Sequence, residues 1–267
     1  MAESQPYRKP RGPFLADQVR DGDPYELSDG HAIRCLPTGG RGSAAAATGS
    51  AVLKSDPLVE SSGVETGYSF AAHSLRAPDV AVGNVPDAPG WVKGVPPLAV
   101  EYADEGQDEN ELAAKIGEFL AAGTRHVWVV RLTGPRRVEV HEPGRESRTA
   151  GPGEELLAPG VLRNPVPIEA LYDWNIGRRV TLRNLLQGEG YEDLDAVRDE
   201  GRSEGLAEGG VATLRESVLA VAEARGLRSS TLSAAVAGCA DASLLRRWLL
   251  RAVTASAVDE IFAPAKT

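Results

Sequence analysis

Two acidic residues near the middle of the sequence stand on short strand-like runs that are otherwise mostly apolar. In residues 76–82, the two-residue alternation of a strand sends Val80 and Val82 to one face and Asp79 and Ala81 to the other. In residues 96–103, Leu98, Val100 and Tyr102 share one face, while Ala99, Glu101 and Ala103 share the other. Each run sets a single carboxylate among small side chains. If the runs are neighbours, Asp79 and Glu101 converge in a space that alanines leave clear. Two carboxylates that close repel each other unless a cation lies between them. A hard ion with oxygen ligands is the natural occupant, Mg²⁺ first, because it keeps several waters that a phosphate can replace.

Lys115 is the third candidate. On a helical wheel Leu112, Ile116, Phe119 and Leu120 form the buried stripe, and Lys115 falls at its edge. From there an ammonium can reach along a sheet towards the acidic pair. A Glu111–Lys115 salt bridge at i,i+4 accounts for the residue equally well. Spacing alone leaves these two readings level.

The elements that must position these groups form an α/β unit. Residues 96–103 predict a strand, 108–122 a helix and 125–132 an apolar strand, and a Gly134-Pro135 turn leads into residues 137–142. Asp108 can cap the helix, Glu111 follows at capping-box spacing, and Gly123 suits the C′ position. Upstream, YELSDGHAIRCL predicts a hairpin turning at Asp29-Gly30. Residues 43–54 read as a helix, and residues 64–70 and 76–82 as strands. Residues 1–22 are polar and Pro-rich and read as a mobile arm. The α/β domain then spans 23–150, and the turn-rich stretch 151–190 reads as a connecting segment. Residues 191–267 read as a helical region, with periodicity over 211–225, 230–237 and 243–255. In the last of these, Leu244, Leu245, Trp248, Leu249 and Val253 read as core rather than as a binding box. Gly201, Gly205 and Gly209 recur every four residues. They suit either a helix–helix contact or, as preferred because glycine costs about 1 kcal/mol per helical position, a flexible linker.

The 38 Asp and Glu against 29 Lys and Arg give a net charge of -9, which argues against coating nucleic acid by bulk charge. The 267 residues suggest roughly two domains of about 150 residues. No apolar run is long enough for a membrane helix and the first residues lack a secretory h-region, so a cytoplasmic protein without membrane contact is expected. Cys35 and Cys239, far apart, read as reduced thiols. His31, His73, His126 and His141 lack zinc spacing, and the latter two read as surface or structural groups. Gly39-Gly40-Arg41-Gly42 lacks the strand and lysine of a P-loop and reads as a loop. No nucleophile elbow supports Ser/His/Asp chemistry.

Taken in order, RAPDVAV (76–82), PPLAVEYA (96–103) and ELAAKIGEFLAAGTRHVWVV (111–130) resemble the Uma2 family of restriction-endonuclease-like proteins, and YELSDGH (25–31) is similar to the hairpin that opens such domains. The resemblance covers residues 24–142. It implies the PD-(D/E)XK nuclease fold: a restriction-endonuclease-like mixed sheet flanked by helices, here followed by an α-helical C-terminal region. It implies metal-dependent hydrolysis of DNA, with Asp79 and Glu101 as the ligands of Mg²⁺ or Mn²⁺. Lys115 would stand in for the lysine that classical members place where this chain has Ala103. The chain departs from the family pattern around the triad. Ala103-Asp104-Glu105 replaces Ser-Pro-Ser, Phe119 and Val127 replace tyrosines, Arg131 replaces a closing Asp, and no histidine stands near Arg41-Gly42. These departures motivate a competing expectation, a catalytically inactive nuclease fold serving as an interaction or scaffold module through its helical half. Arg131, Arg136 and Arg137 form a basic spot beside the site, readable as a DNA-backbone contact or as a solvated hairpin tip. DNA binding is expected to be weak and salt-sensitive, and self-association through the helical region is a further expectation.

Overall fold

The computed structural model describes residues 12–263. Its chain order begins with the hairpin β1 (Tyr25–Ser28) and β2 (His31–Arg34), then helix α1 (Gly40–Lys54). Asp29 and Gly30 both have positive φ, 44° and 74°, as a tight two-residue hairpin turn requires. Next come β3 (Ser62–Val64), β4 (Tyr68–Ala71), β5 (Ser74–Arg76), β6 (Val80–Val82) and β7 (Val92–Lys93). After them run β8 (Leu98–Ala103), α2 (Glu109–Ala122), β9 (His126–Arg131), β10 (Arg137–His141) and β11 (Arg148–Ala150). The short strands β12 (Glu155–Leu156) and β13 (Val166–Pro167), a 3₁₀ turn at Ile168–Leu171 and α3 (Trp174–Gly188) complete the first unit, which ends at Glu192.

Two sheets organise this unit. A six-stranded mixed sheet runs β11-β10-β9-β8-β6-β3, with β8 and β9 parallel and joined through α2. A five-stranded sheet runs β2-β1-β5-β4-β7. The two expected strands at 64–70 and 76–82 are each broken, because the chain changes sheet within them. Glu65 takes φ 53° between β3 and β4, and Pro78, which has no N–H for a ladder, falls between β5 and β6.

The alternation expected for β8 holds. Leu98, Val100 and Tyr102 join Val80, Val82, Trp128 and Val130 in a core covered by Ala45, Val52 and Leu53 of α1. Ala99 and Ala103 face the other way, where Leu112, Ile116 and Phe119 of α2 pack on them with Val127 and Val129. Small residues on β8 let α2 come close. The Asp108 carboxylate accepts from the Asn110 and Glu111 N–H groups, and Gly123 ends the helix at φ 111°, a conformation that only glycine adopts freely.

Residues 151–190, expected as a connection, contribute Leu156, Val161, Leu162, Val166, Ile168, Leu171 and Val180 to the α1-side core. Buried polar groups pin this segment: Asp56 accepts from the Arg163 and Asn164 N–H groups, and Asn184 donates to Val52 O and Ser55 Oγ. Their apolar residues are spaced by turns, so no period announced them. Of the expected mobile arm, residues 1–11 lie outside the described residues. Phe14, Ala16 and Val19 pack on Leu27 and Leu75, and the Trp91 indole donates to Val19 O at 3.0 Å.

The second unit, from Asp193 onwards, comprises α4 (Leu194–Ala224), α5 (Ser230–Gly238), α6 (Ala242–Thr254) and α7 (Val258–Phe262). Val218, Ala222, Leu232, Val236, Leu245, Ala252 and Ile261 form its core, and Trp248 meets Phe262 edge-on at 5.0 Å. The expected linker at 200–209 is a correction, since Gly201, Gly205 and Gly209 lie inside α4. Asp193 caps that helix, and its well-packed C-terminal half extends it through the glycines. A Cβ at any of the three would meet nothing within 4 Å, so they make no close helix contact either. Among the described residues no helix is long and apolar enough to cross a membrane.

Candidate active site

Ala77, Pro78 and Asp79 form the break between β5 and β6, which leaves Asp79 just ahead of β6 and the Ala77 carbonyl bonded to Lys115. The antiparallel register pairs Val80 with Val100, and Asp79 and Glu101 each adjoin that pair in the sequence. The Asp79 carboxylate accepts from the Tyr102 N–H at 2.5 Å. Burial raises the pKa of Asp79, with Lys115 and the Tyr102 N–H acting against the rise and Glu26 adding to it.

Glu101 lies in the middle of β8 under α2 and is 7% exposed. Lys115 comes down on it from α2, its Nζ 3.0 Å from Glu101 Oε1 and 3.1 Å from Oε2. The same ammonium donates to the Ala77 carbonyl at 2.6 Å and stands 3.2 Å from Glu26 Oε1. Burial pushes the Glu101 pKa up to about 8, against Lys115 and with help from Asp79 and Glu26. Burial also works against the Lys115 charge, but Glu101, Glu26 and Asp79 outweigh it, so the ammonium stays protonated. Lys115 and Glu101 are thus in contact, and Asp79 is near enough to act electrostatically on both. The alternative Glu111–Lys115 bridge is not formed, because Glu111 turns to Arg76, and for the same reason the expected capping box closes only on its Asp108 side.

Sequence reasoning missed Arg76 and Glu26. Arg76 is fully buried, and its guanidinium bonds Glu118 through Nε at 2.6 Å and Nη2 at 3.0 Å. Its Nη1 reaches Glu111 at 2.6 Å and Glu26 at 3.2 Å. Ser28 Oγ donates to Glu118, tying the opening hairpin to α2. One signal was present in the sequence: Glu111 and Glu118 are seven residues apart on α2, on one face with Lys115, where a buried cation was needed to pair them.

A cleft of about 450 Å³ opens beside Asp79. Glu65 and Tyr102 line it on the sheet side, and Gly42, Ser43, Ala46 and Ser50 line it along α1. Gly49 lets α1 approach Tyr102, whose hydroxyl donates to Leu171 O at 3.0 Å. At its start, α1 is held by Arg41, which donates to Asp104 and Glu105 in the loop after β8.

The donor set fits a hard divalent cation. Glu101 Oε1 is buried, with the Lys115 ammonium 3.0 Å away. Burial raises Glu65 as well, with Asp79 adding to the rise and Lys115 acting against it. Among the described residues no group of three or more His, Cys, Asp or Glu is placed to hold a metal ion.

The other sequence candidates lie elsewhere in the fold. Arg131 is held between Glu109 and Glu139, and Arg137 turns to Glu139, so the expected basic spot is largely neutralised. Arg136 stacks over the Tyr172 ring at 4.9 Å. His126 is buried, 3.0 Å from Glu142. Cys35 and Cys239 are free thiols.

Comparison with known proteins bears on the fold and the family. A structure described as "a putative nuclease belonging to DUF820 from Anabaena variabilis ATCC 29413" aligns with a TM-score of 0.53 and 18% identity, over 60% of this chain and 98% of that one. It shows a nuclease fold in common. No curated protein matches the chain. The model of the Uma2 family, described as "Putative restriction endonuclease", matches residues 14–166, more than half of the sequence, and the chain belongs to that family.

Proposed function

We propose that this protein is a metal-dependent DNA endonuclease whose site is Asp79, Glu101 and Lys115. The observation that carries the reading is a pair of buried carboxylates from adjoining strands, both raised by burial, beside one buried ammonium. Asp79 and Glu101 would hold Mg²⁺ or Mn²⁺, which when bound supplies Lewis-acid polarisation of a phosphoryl oxygen. Lys115 is protonated at neutral pH and cannot act as a base. It steadies negative charge that develops on the phosphate. The Ala77 carbonyl aims that ammonium, and the Tyr102 N–H fixes the Asp79 carboxylate. The small residues along α1 admit a sugar–phosphate backbone next to Asp79, and Ser43 and Ser50 offer hydroxyls to it. DNA as the substrate is supported by the family description. With a net charge of -9 and Arg131 held between two carboxylates, DNA binding is expected to be weak and salt-sensitive.

One observation favours the second reading, a catalytically inactive scaffold. Both Glu101 oxygens lie within about one hydrogen bond of Lys115, so the site is partly neutralised from within. A cleavage assay separates the two. Plasmid and single-stranded DNA are incubated with Mg²⁺ or Mn²⁺ and the wild type, Asp79→Ala or Lys115→Ala. The nuclease reading expects losses of about 100-fold or more in both variants. Equal cleavage by all three would mean a contaminating enzyme. No cleavage by folded wild type would support the scaffold.

A further inference from the structure

We infer that Glu26, on the opening hairpin, is a positioning residue of this site: it gives the Lys115 ammonium a second carboxylate beside Glu101, and the buried Arg76 fixes Glu26 for that task. An ammonium has three protons to donate. For Lys115, one goes to the Ala77 carbonyl at 2.6 Å and one to Glu101 Oε2 at 3.1 Å. The third has two carboxylate oxygens in range, Glu101 Oε1 at 3.0 Å and Glu26 Oε1 at 3.2 Å. Glu26 and Glu101 therefore share the lysine, one carboxylate from each of two strands.

Glu26 can do this because its other oxygen is anchored. Its Oε2 is 3.2 Å from Arg76 Nη1, and Arg76 is itself clamped by Glu118 and Glu111 of α2. Glu26 is 9% exposed on a strand whose next residue, Leu27, is fully buried, so the carboxylate has little freedom to swing away. The chain Arg76–Glu26–Lys115–Glu101 thus links the five-stranded sheet to the catalytic strand. Its effect on turnover rests on the nuclease reading above, while its effect on Lys115 does not.

The test has two readouts on the full chain. The first is the ammonium spectrum of protein labelled with ¹⁵N-lysine, in which the Lys115 signal is identified by its loss in Lys115→Met. Glu26→Gln is expected to shift or broaden that signal, and an unchanged signal overturns the inference. The second is Mn²⁺-dependent cleavage. Glu26→Gln is expected to lower kcat by about 100-fold, the cost of misplacing a catalytic group by about 1 Å, with KM for DNA within about twofold. Glu26→Asp keeps the charge but shortens the reach and is expected to lose kcat as well. Full activity in Glu26→Asp, or an unchanged kcat in Glu26→Gln, overturns the inference. If the wild type does not cleave, the nuclease reading fails, and the Lys115 signal alone decides whether Glu26 positions the lysine.

Discussion

At the scale of single residues, the site is a balance between burial and charge. Glu101 is a buried carboxylate whose pKa in the fold, about 8, lies above its ordinary value of 4.5. A raised carboxylate pKa means that the folded state holds the proton more tightly than the unfolded chain. The stability that Glu101 contributes is then fully present below pH 4.5 and is lost as pH rises through about 8. Glu101→Gln, which cannot ionise, is expected to match the wild type at acid pH and to gain on it across this window. Denaturant unfolding at several pH values checks this, and a stability difference that does not vary with pH would contradict it. The carboxylate pair and the lysine were legible in the sequence because strand alternation and a helical wheel report which face a residue takes. Arg76 and Glu26 were not, because their pairing joins residues 50 apart in sequence on neighbouring strands that local patterns do not match up.

At the scale of elements, glycine positions separate packing from propensity. Gly49 lies where α1 crosses Tyr102, and a methyl group there would run into the Tyr102 hydroxyl. Gly49→Ala is expected to cost about 1–3 kcal/mol, as overpacking does, and to narrow the cleft. Gly205 sits in α4 with nothing within 4 Å of a Cβ, so Gly205→Ala is expected to stabilise the helical unit by about 1 kcal/mol. Thermal unfolding of both variants gives the signs, and a destabilised Gly205→Ala would mean that the glycine stripe is in use as a contact. Helix α2 was readable to its ends from Asp108, its apolar stripe and Gly123. The helical state of residues 200–209 was not, because it follows from the packed half of α4 and not from the glycines themselves. The breaks at Glu65 and Pro78 show the limit of local patterns. A proline in an apolar run signals an interruption, but which sheet receives each half is settled by long-range pairing.

At the scale of the whole molecule, Glu26, Arg76, Asp79, Glu101 and Lys115 all belong to the first unit, and the helical unit has a core of its own. A chain ending at Glu192 is therefore expected to fold and to keep any metal-dependent cleavage of the full protein, as far-UV circular dichroism and the DNA assay would show. Loss of cleavage in the folded truncation would give the helical unit a part in the reaction. The division into an α/β half and a helical half was visible in composition. The place of residues 151–190 within the first core was not, because a chain that wraps a core through turns carries no period. The central claim is that Asp79 and Glu101 share one divalent cation. Anomalous diffraction from a crystal of the protein soaked in Mn²⁺ tests it most directly. The account predicts a single strong peak within ligand distance, about 2 Å, of both carboxylates, absent from Asp79→Ala. A wild-type crystal with no peak there, or with Mn²⁺ bound only at surface acids, would contradict it.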